Sequence, residues 1–306
     1  MKRGTGIKLG VIGVGSMGKN HARIAALLPG IKLVGVADAN QTIAEEVGRQ
    51  IGIPFHDDYR QLLPEAEALI IATPTQTHFE IASFCLNAGK HLLIEKPFTG
   101  CSGTARTLAS LAQEKNLILT IGLIERFNPA FQKLRKELKG EKIIGIDIKR
   151  LSPFPERISD TDVVFDMMFH DLDLMLALIP DEIIDIRGKG EKIRTKMLDR
   201  AIVSIAFKAG PIARLEASRV FGVKSRKLVV TSEKYLIEAD LINKTVYIRD
   251  FSNPTPSTLP VKPVDQITEE LSDFRDAIKF KQSPAVTAVD ALRVLSLAEE
   301  VQKACS

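Results

Sequence analysis

Lys8-Leu9-Gly10-Val11-Ile12-Gly13-Val14-Gly15-Ser16-Met17-Gly18 is a short apolar run that ends in a G-x-G-x-x-G spacing. A helical stretch, Lys19 to Leu28, follows it. Gly13 permits a tight turn, Gly15 lets the backbone approach a pyrophosphate, and Gly18 lets helix and strand pack closely. The helix start at Ser16 and Met17 offers unpaired N–H groups and the positive end of a dipole to phosphates. Alone, the motif carries little weight. Here it follows a strand, opens a helix, and is succeeded by a second strand, Ile31 to Ala37, that ends in Asp38, twenty residues after Gly18. An acid there accepts hydrogen bonds from adenosine ribose hydroxyls and repels a 2′-phosphate. Ala39 and Asn40 follow, with no arginine to receive such a phosphate. The segment reads as a site for NAD.

Working outward, strands and helices keep alternating. The pattern predicts a helix near Gln41 to Gly52, a strand Ala68 to Ala72, a helix His78 to Ala88 and a strand His91 to Ile94. A helix near Gly103 to Lys115 and a strand Leu117 to Ile121 complete the run. Such alternation indicates a parallel, doubly wound sheet, whose ligands lie beyond the carboxyl ends of the strands. Thr73-Pro74-Thr75, Glu95-Lys96-Pro97 and Glu125-Arg126-Phe127-Asn128-Pro129 each follow a strand and are expected to line one crevice. After Gly122 the pattern becomes strand-rich: Lys142 to Leu151, Ile183 to Gly188, Ala201 to Phe207, Ile212 to Ser218, Lys227 to Thr231, Tyr235 to Ala239 and Thr245 to Arg249. Asp250 to Val264, with four prolines, reads as a loop. Two helices close the chain, near Asp265 to Lys281 and Ala288 to Ala304. Two domains are expected, 1–122 and 123–306.

Between these strands, Val163 to Ile179 is a helix of large apolar residues that carries Asp166, His170 and Asp173. Steps of four and seven return to nearly the same helical angle, so the three side chains share a stripe. Acids beside an imidazole in apolar surroundings are costly unless they are paired or in use. A satisfied core histidine with helix-surface acids is the plainer explanation of the stripe by itself.

Composition excludes several classes. The 306 residues are 45% hydrophobic and 26% charged, with a formal net charge of +4, ordinary values for a globular chain of about two domains. No block of like charge suggests nucleic-acid binding. The cluster Lys133, Arg135, Lys136, Lys139, Lys142 alternates with Glu137 and Glu141. Cys85, Cys101 and Cys305 are odd in number and widely spaced, which argues against disulfides or a zinc site and for a reducing cytoplasm. No metal is expected. No run is long enough for a membrane span, and the glycine-broken start reads as a strand rather than a signal peptide.

The chain resembles the glucose–fructose oxidoreductase, inositol dehydrogenase and rhizopine-catabolism (Gfo/Idh/MocA) family. The residues that carry the resemblance are Gly13 to Gly18, Ala72-Thr73-Pro74-Thr75-Gln76-Thr77-His78, and Ala88 to Pro97 with its Glu95-Lys96-Pro97. Asp166, His170 and Asp173 match the family's Asp-x-x-x-His-x-x-Asp, although Met168 stands where the family often has glycine. The resemblance implies an α/β protein: an N-terminal Rossmann doubly wound parallel sheet, then an α/β domain with a large, mostly antiparallel open sheet that commonly forms a homodimer or homotetramer interface. Glu125 to Pro129, Ser152 to Ile158 and Phe165 to Asp173 most resemble the nucleotide-sugar 3-dehydrogenases, which act on UDP-N-acetylglucosamine.

The implied reaction is oxidation of a secondary sugar hydroxyl, with hydride passing to NAD. His170 is the leading base, since an imidazole's ordinary pKa, about 6.5, lies near working pH. Asp166 fixes its tautomer or binds a sugar hydroxyl. Lys96 directs an ammonium at the developing alkoxide. Family members differ over which of Lys96 and His170 is the formal base. Thr73, Pro74, Thr75 and His78 are expected around the nicotinamide half, with Glu95 on its ribose or positioning Lys96. For His78 a structural role is as well supported. Arg126, Asn128, Arg157 and Arg219 are candidates for sugar hydroxyls or a diphosphate, each of them also a natural salt-bridge residue. Lys224, Arg226 and Lys227 read as a solvated loop before a strand. The alternatives are a dehydrogenase or reductase of a free polyol or sugar, and a dinucleotide-binding sensor without turnover.

Overall fold

A computed structural model describes residues 6–155 and 161–306. The first segment forms β1 (Ile7–Ile12), α1 (Ser16–Leu27), β2 (Ile31–Ala37), α2 (Gln41–Ile51), β3 (Phe55–His56), β4 (Ala68–Ile71), α3 (Thr75–Asn87), β5 (His91–Ile94), α4 (Ser102–Glu114) and β6 (Leu119–Ile121). The six strands make a parallel sheet in the order β3-β2-β1-β4-β5-β6. β4 is buried along its whole length, as expected where helices cover both faces of a parallel sheet. Local chemistry ends the helices where the sequence suggests. Asn40 caps α2 by accepting from the N–H groups of Thr42 and Ile43, and Gly52 closes it in the left-handed conformation.

Register makes this sheet a platform. Ala37, Ile12, Ile71, Ile94 and Ile121 pair across it in one row. The ladder continues one residue further: Gly13 N–H donates to Ala37 O, Ala72 N–H to Ile12 O, Glu95 N–H to Ile71 O and Gly122 N–H to Ile94 O. Asp38, Gly13, Ala72, Glu95 and Gly122 therefore leave the sheet at one level, with Thr73 next after Ala72.

The chain divides into two units, residues up to Ile124 with Asp265–Arg293, and Glu125–Val264 with Val294–Ser306. The first boundary falls two residues beyond the expected one. The return of the chain differs from expectation: α7 (Gln266–Phe280) belongs to the first unit, where Leu271 and Phe274 join Ala22, Ala25, Val11 and Val36 in one core. An amphipathic pattern says that a helix must bury a face, not which sheet receives it.

The second unit contains α5 (Pro129–Glu137), β7 (Ile143–Leu151), α6 (Phe169–Leu178) and β8 (Ile183–Glu191). Then come β9 (Arg200–Phe207), β10 (Ile212–Ser218), β11 (Ser225–Ser232), β12 (Tyr235–Asp240), β13 (Thr245–Asp250) and β14 (Asn253–Leu259). The helix α8 (Ala288–Cys305) ends in it. The sheet order is β14-β13-β12-β11-β7-β10-β9-β8, with β7 and β10 parallel and the other neighbours antiparallel. Ala201, Val203, Ile205 and Phe207 alternate inward along β9, as do Ala213, Leu215 and Ala217 along β10. The opposite face carries Asp147, Arg214, Glu216 and Arg200 together with exposed Ile202 and Ile212. One expectation is corrected. Residues 250–264 are not all loop, because β14 pairs with β13 at Val246–Leu259, Tyr247–Thr258 and Ile248–Ser257. β14 is an edge strand, where Pro254 and Pro256 need not donate inward.

Candidate active site

In the first unit the site is built from the edge of the sheet. Gly13 lies at φ +81°, and a Cβ there would stand 2.8 Å from the Ala72 backbone. A Cβ on Gly18 would come within 1.8 Å of Gly13 O, so only glycine allows the turn and helix to meet. At Gly15 a Cβ would have nothing within 4 Å. Gly15 is also the N-cap of α1, so no side chain caps that helix, whose first residues, Ser16 and Met17, are exposed. An uncapped N-terminus beside open space is what a pyrophosphate requires.

A cavity of about 740 Å³ adjoins this turn, lined by Gly13, Gly15, Asp38, Ala39, Thr73 and Pro74 among others. Two backbone donors fix the Asp38 carboxylate in place. Oδ2 accepts from Val14 N–H at 2.8 Å, and Oδ1 accepts from Asn40 N–H at 2.9 Å. Tyr59 and Arg60 also line it, and the Arg60 guanidinium is 5.0 Å from the Tyr59 ring centre. Glycine turn, free helix end, fixed acid and apolar cavity together fit an NAD molecule.

Pro74 is the N-cap of α3 and Thr75 its first residue. Thr77 Oγ1 donates within a turn that includes Thr73 Oγ1 and Pro74 O, both at 2.8 Å. His78 is buried, with Nε2 2.8 Å from Thr73 O and Nδ1 3.1 Å from Pro97 O. Its ring clips the loop after β4 to the loop after β5, which is a structural role. Glu95 Oε1 lies 2.7 Å from Nε2 of buried His21, and Oε2 accepts from Lys96 N–H at 3.2 Å. Lys96 is half-buried.

In the second unit Asp166 occupies a π-helical turn, Val164–Met168, that runs directly into α6. Such single wide turns are frequent at functional sites. Asp166 and His170 are half-buried, while Asp171, Asp173 and Met168 are fully enclosed. Asp173 is bound bidentately by Arg126, with Nε 2.8 Å from Oδ2 and Nη2 2.6 Å from Oδ1. Asn128 caps α5 through Ala130 N–H and donates to Glu125 Oε2 and Leu241 O. Arg219 is spent on Asp199 Oδ1, Thr161 O and Thr195 Oγ1. Arg126, Asn128 and Arg219 are thus held within the scaffold. Arg157 lies outside the described residues.

A network that the sequence analysis missed surrounds the helix. Buried Arg150 bonds Asp171 at 2.8–3.1 Å and Glu125 Oε1 at 3.0 Å. Arg226 Nη1 reaches the same Glu125 oxygen at 3.0 Å. Arg226 and Lys227 are therefore not a solvated loop: they lie on β11, and Lys227 pairs with Glu238 on β12. Burial alone would push the Glu125 carboxyl up. Arg150, His170 and Arg226 outweigh it and hold it down at about 2. A signal did exist, since Arg150 occupies an inward position of β7 after Ile146 and Ile148.

A carboxyl whose value is depressed on folding contributes stability above its unfolded value and loses it as pH falls toward its folded one. For Glu125 that window runs from 4.5 down to about 2. Glu125→Gln is expected to lower the urea midpoint at neutral pH, and the gap from wild type should close as pH falls through this window. A gap independent of pH would contradict the assignment.

Comparison with known proteins agrees with this geometry. The family described as an oxidoreductase family with an NAD-binding Rossmann fold, GFO_IDH_MocA, matches residues 7–123. The UDP-N-acetylglucosamine 3-dehydrogenase of Acidithiobacillus ferrooxidans is 35% identical over 97% of this chain and 97% of its own. A solved structure of that enzyme superposes with a TM-score of 0.94 over 98% of each chain. The scyllo-inositol 2-dehydrogenase (NAD(+)) of Bacillus subtilis is 27% identical over 93% of this chain and 90% of its own. The chain belongs to the Gfo/Idh/MocA oxidoreductase family, and its first unit is the NAD-binding Rossmann domain. It is an NAD-dependent dehydrogenase. Among the described residues, no group of His, Cys, Asp or Glu is arranged to hold a metal ion, and no helix is long and apolar enough to cross a membrane.

Proposed function

We propose that this protein oxidises a secondary hydroxyl of a nucleotide sugar, the 3-hydroxyl of UDP-N-acetylglucosamine or a close analogue. The observation that carries the reading is the end-to-end likeness to the Acidithiobacillus enzyme, which includes the second, substrate-side unit. NAD, when bound, accepts hydride from the carbinol carbon. His170 takes the hydroxyl proton, and Asp166 orients the imidazole or a neighbouring sugar hydroxyl. Lys96 places a positive charge at the oxygen as it becomes negative. Glu95, fixed by His21, sets the start of the Lys96 loop. Arg126, Asn128 and Arg219 serve the scaffold, while Arg157 remains a candidate for the diphosphate. The same reading places the protein in a reducing cytoplasm, in keeping with its free cysteines. It also makes the protein a homodimer or homotetramer through the sheet face that exposes Ile202 and Ile212.

The test is turnover. Purified protein with NAD should form NADH and a 3-oxo sugar nucleotide from UDP-N-acetylglucosamine, with myo- or scyllo-inositol far poorer. Oxidation of inositol with no turnover of UDP-sugars would transfer the assignment to free polyols. NAD binding with no turnover of either would favour a sensor.

Asp38 supplies a separate prediction. Asp38→Ala removes charged hydrogen bonds of about 1.5–3 kcal/mol, which corresponds to roughly 10- to 100-fold in affinity. Calorimetric titration should show that loss for NAD and a narrowed preference over NADP. An unchanged preference would remove Asp38 from ribose recognition.

A further inference from the structure

Beside the Lys96 loop lies a buried acid that the proposed mechanism does not use. Glu270 sits on the inward face of α7 with Leu271, Phe274 and Ala277, and is 2% exposed. Neither of its carboxyl oxygens has a hydrogen-bond partner among the described residues. The charged groups that act on it are Glu95, after β5, and Asp273, one turn along its own helix; both are acids. Asp273 is itself occupied, accepting from Ala285 N–H at 2.8 Å. Glu95 contacts His21 of α1 and the Lys96 N–H. The space Glu95 occupies depends on Gly122, where a Cβ would stand 3.0 Å from Glu95 Oε2.

An ionised carboxylate without a cation or donor is expensive in such a place. A like charge nearby disfavours the ionised form of a buried carboxyl still further. Glu95 faces two N–H-bearing groups, whereas Glu270 faces none among the described residues.

We propose that Glu270 is a positioning residue for the Lys96 loop: buried and without a donor, it is kept as the neutral acid, which leaves Glu95 held by His21 and the Lys96 N–H. This rests on the reading of Lys96 as a catalytic group. Ionising Glu270 would add a negative charge near Glu95, loosen its hold on His21 and the Lys96 loop, and so lower turnover.

Burial and both neighbouring acids push the Glu270 carboxyl well above its ordinary 4.5. A group raised in this way contributes stability below its unfolded value and loses it as pH climbs toward its folded one. Glu270→Gln keeps the shape and the neutral charge but cannot ionise. The melting temperature of E270Q minus that of wild type should therefore grow as pH rises above the ordinary 4.5. Wild type at neutral pH should show an infrared carbonyl band of a protonated carboxylic acid that E270Q lacks. These two readouts need no substrate, so they stand or fall apart from the dehydrogenase reading.

For turnover, wild-type kcat should decline on the alkaline side while the E270Q profile stays flat there. Glu270→Ala, which cannot ionise either, should likewise leave the alkaline side flat. An absent infrared band, a pH-independent melting difference, or an alkaline limb unmoved in E270Q would each overturn the proposal.

Discussion

Lys96→Met should lower kcat by about 10²–10⁴-fold, the range over which positioned proton-transfer and charge-stabilising groups act. NAD affinity should stay near wild type. The cofactor cavity is lined by the turn after β1, by Asp38 and by the segment after β4, and the Lys96 ammonium is not among its walls. His170→Ala should show a loss of similar order. In the proposed mechanism both residues act on the transition state, so kcat and kcat/KM should fall together while KM changes little. Stopped-flow NADH formation, with calorimetry for NAD, separates the two quantities. Turnover near wild type in either variant would remove that residue from the mechanism. A loss confined to KM would make it a binding group instead.

Arg150→Met should be the most destabilising single change in the second unit. The guanidinium is enclosed and joins Asp171 and Glu125, which are also enclosed. Removing one partner of a buried pair leaves an unsupported charge and costs about 3–5 kcal/mol. Asp171 suffers most, because burial already pushes its carboxyl up against the pull of Arg150. Glu125 keeps Arg226. The double variant Arg150→Met with Asp171→Leu should recover much of the loss, since an apolar pair of similar volume is often neutral beside an ion pair. Urea unfolding of the two singles and the double forms a cycle that reads this coupling. Additive losses would mean that Asp171 is not stabilised through Arg150.

The dinucleotide half was legible because its chemistry is local. Turn, helix start and acid at the end of β2 lie within one short βαβ stretch, and each has a residue type that the backbone or ligand demands. The strands were legible for the same reason, except where a rule of thumb outran its cause. Proline argues against a central strand, yet β14 is an edge strand and tolerates Pro254 and Pro256. β3 is two residues long and carries no periodicity to detect.

What stayed hidden was pairing at a distance. Arg126 and Asn128 looked like ligands because they are polar residues in a loop after a strand. Their partners, Asp173 and Leu241 O, are 47 and 113 residues away. Arg226 finds Glu125 across 101 residues. The π-helical turn under Asp166 was equally unreadable, since the i, i+4 spacing to His170 is satisfied by an ordinary helix too. Glu270 does carry a signal in the sequence, an acid on the apolar face of α7, much as His21 does on the buried face of α1.

The proposed mechanism has Lys96 and His170 serve one hydroxyl beside a nicotinamide held by the first unit. A crystal structure of the Lys96→Met or wild-type protein with NAD and UDP-N-acetylglucosamine would decide it. The dinucleotide should lie on the Gly13–Gly18 turn with its adenosine ribose at Asp38, and His170 should lie within hydrogen-bond reach of the sugar 3-hydroxyl. In the wild-type complex the Lys96 ammonium should reach the same oxygen. A sugar nucleotide bound with that hydroxyl away from both side chains, in a complex that nonetheless turns over, would contradict it.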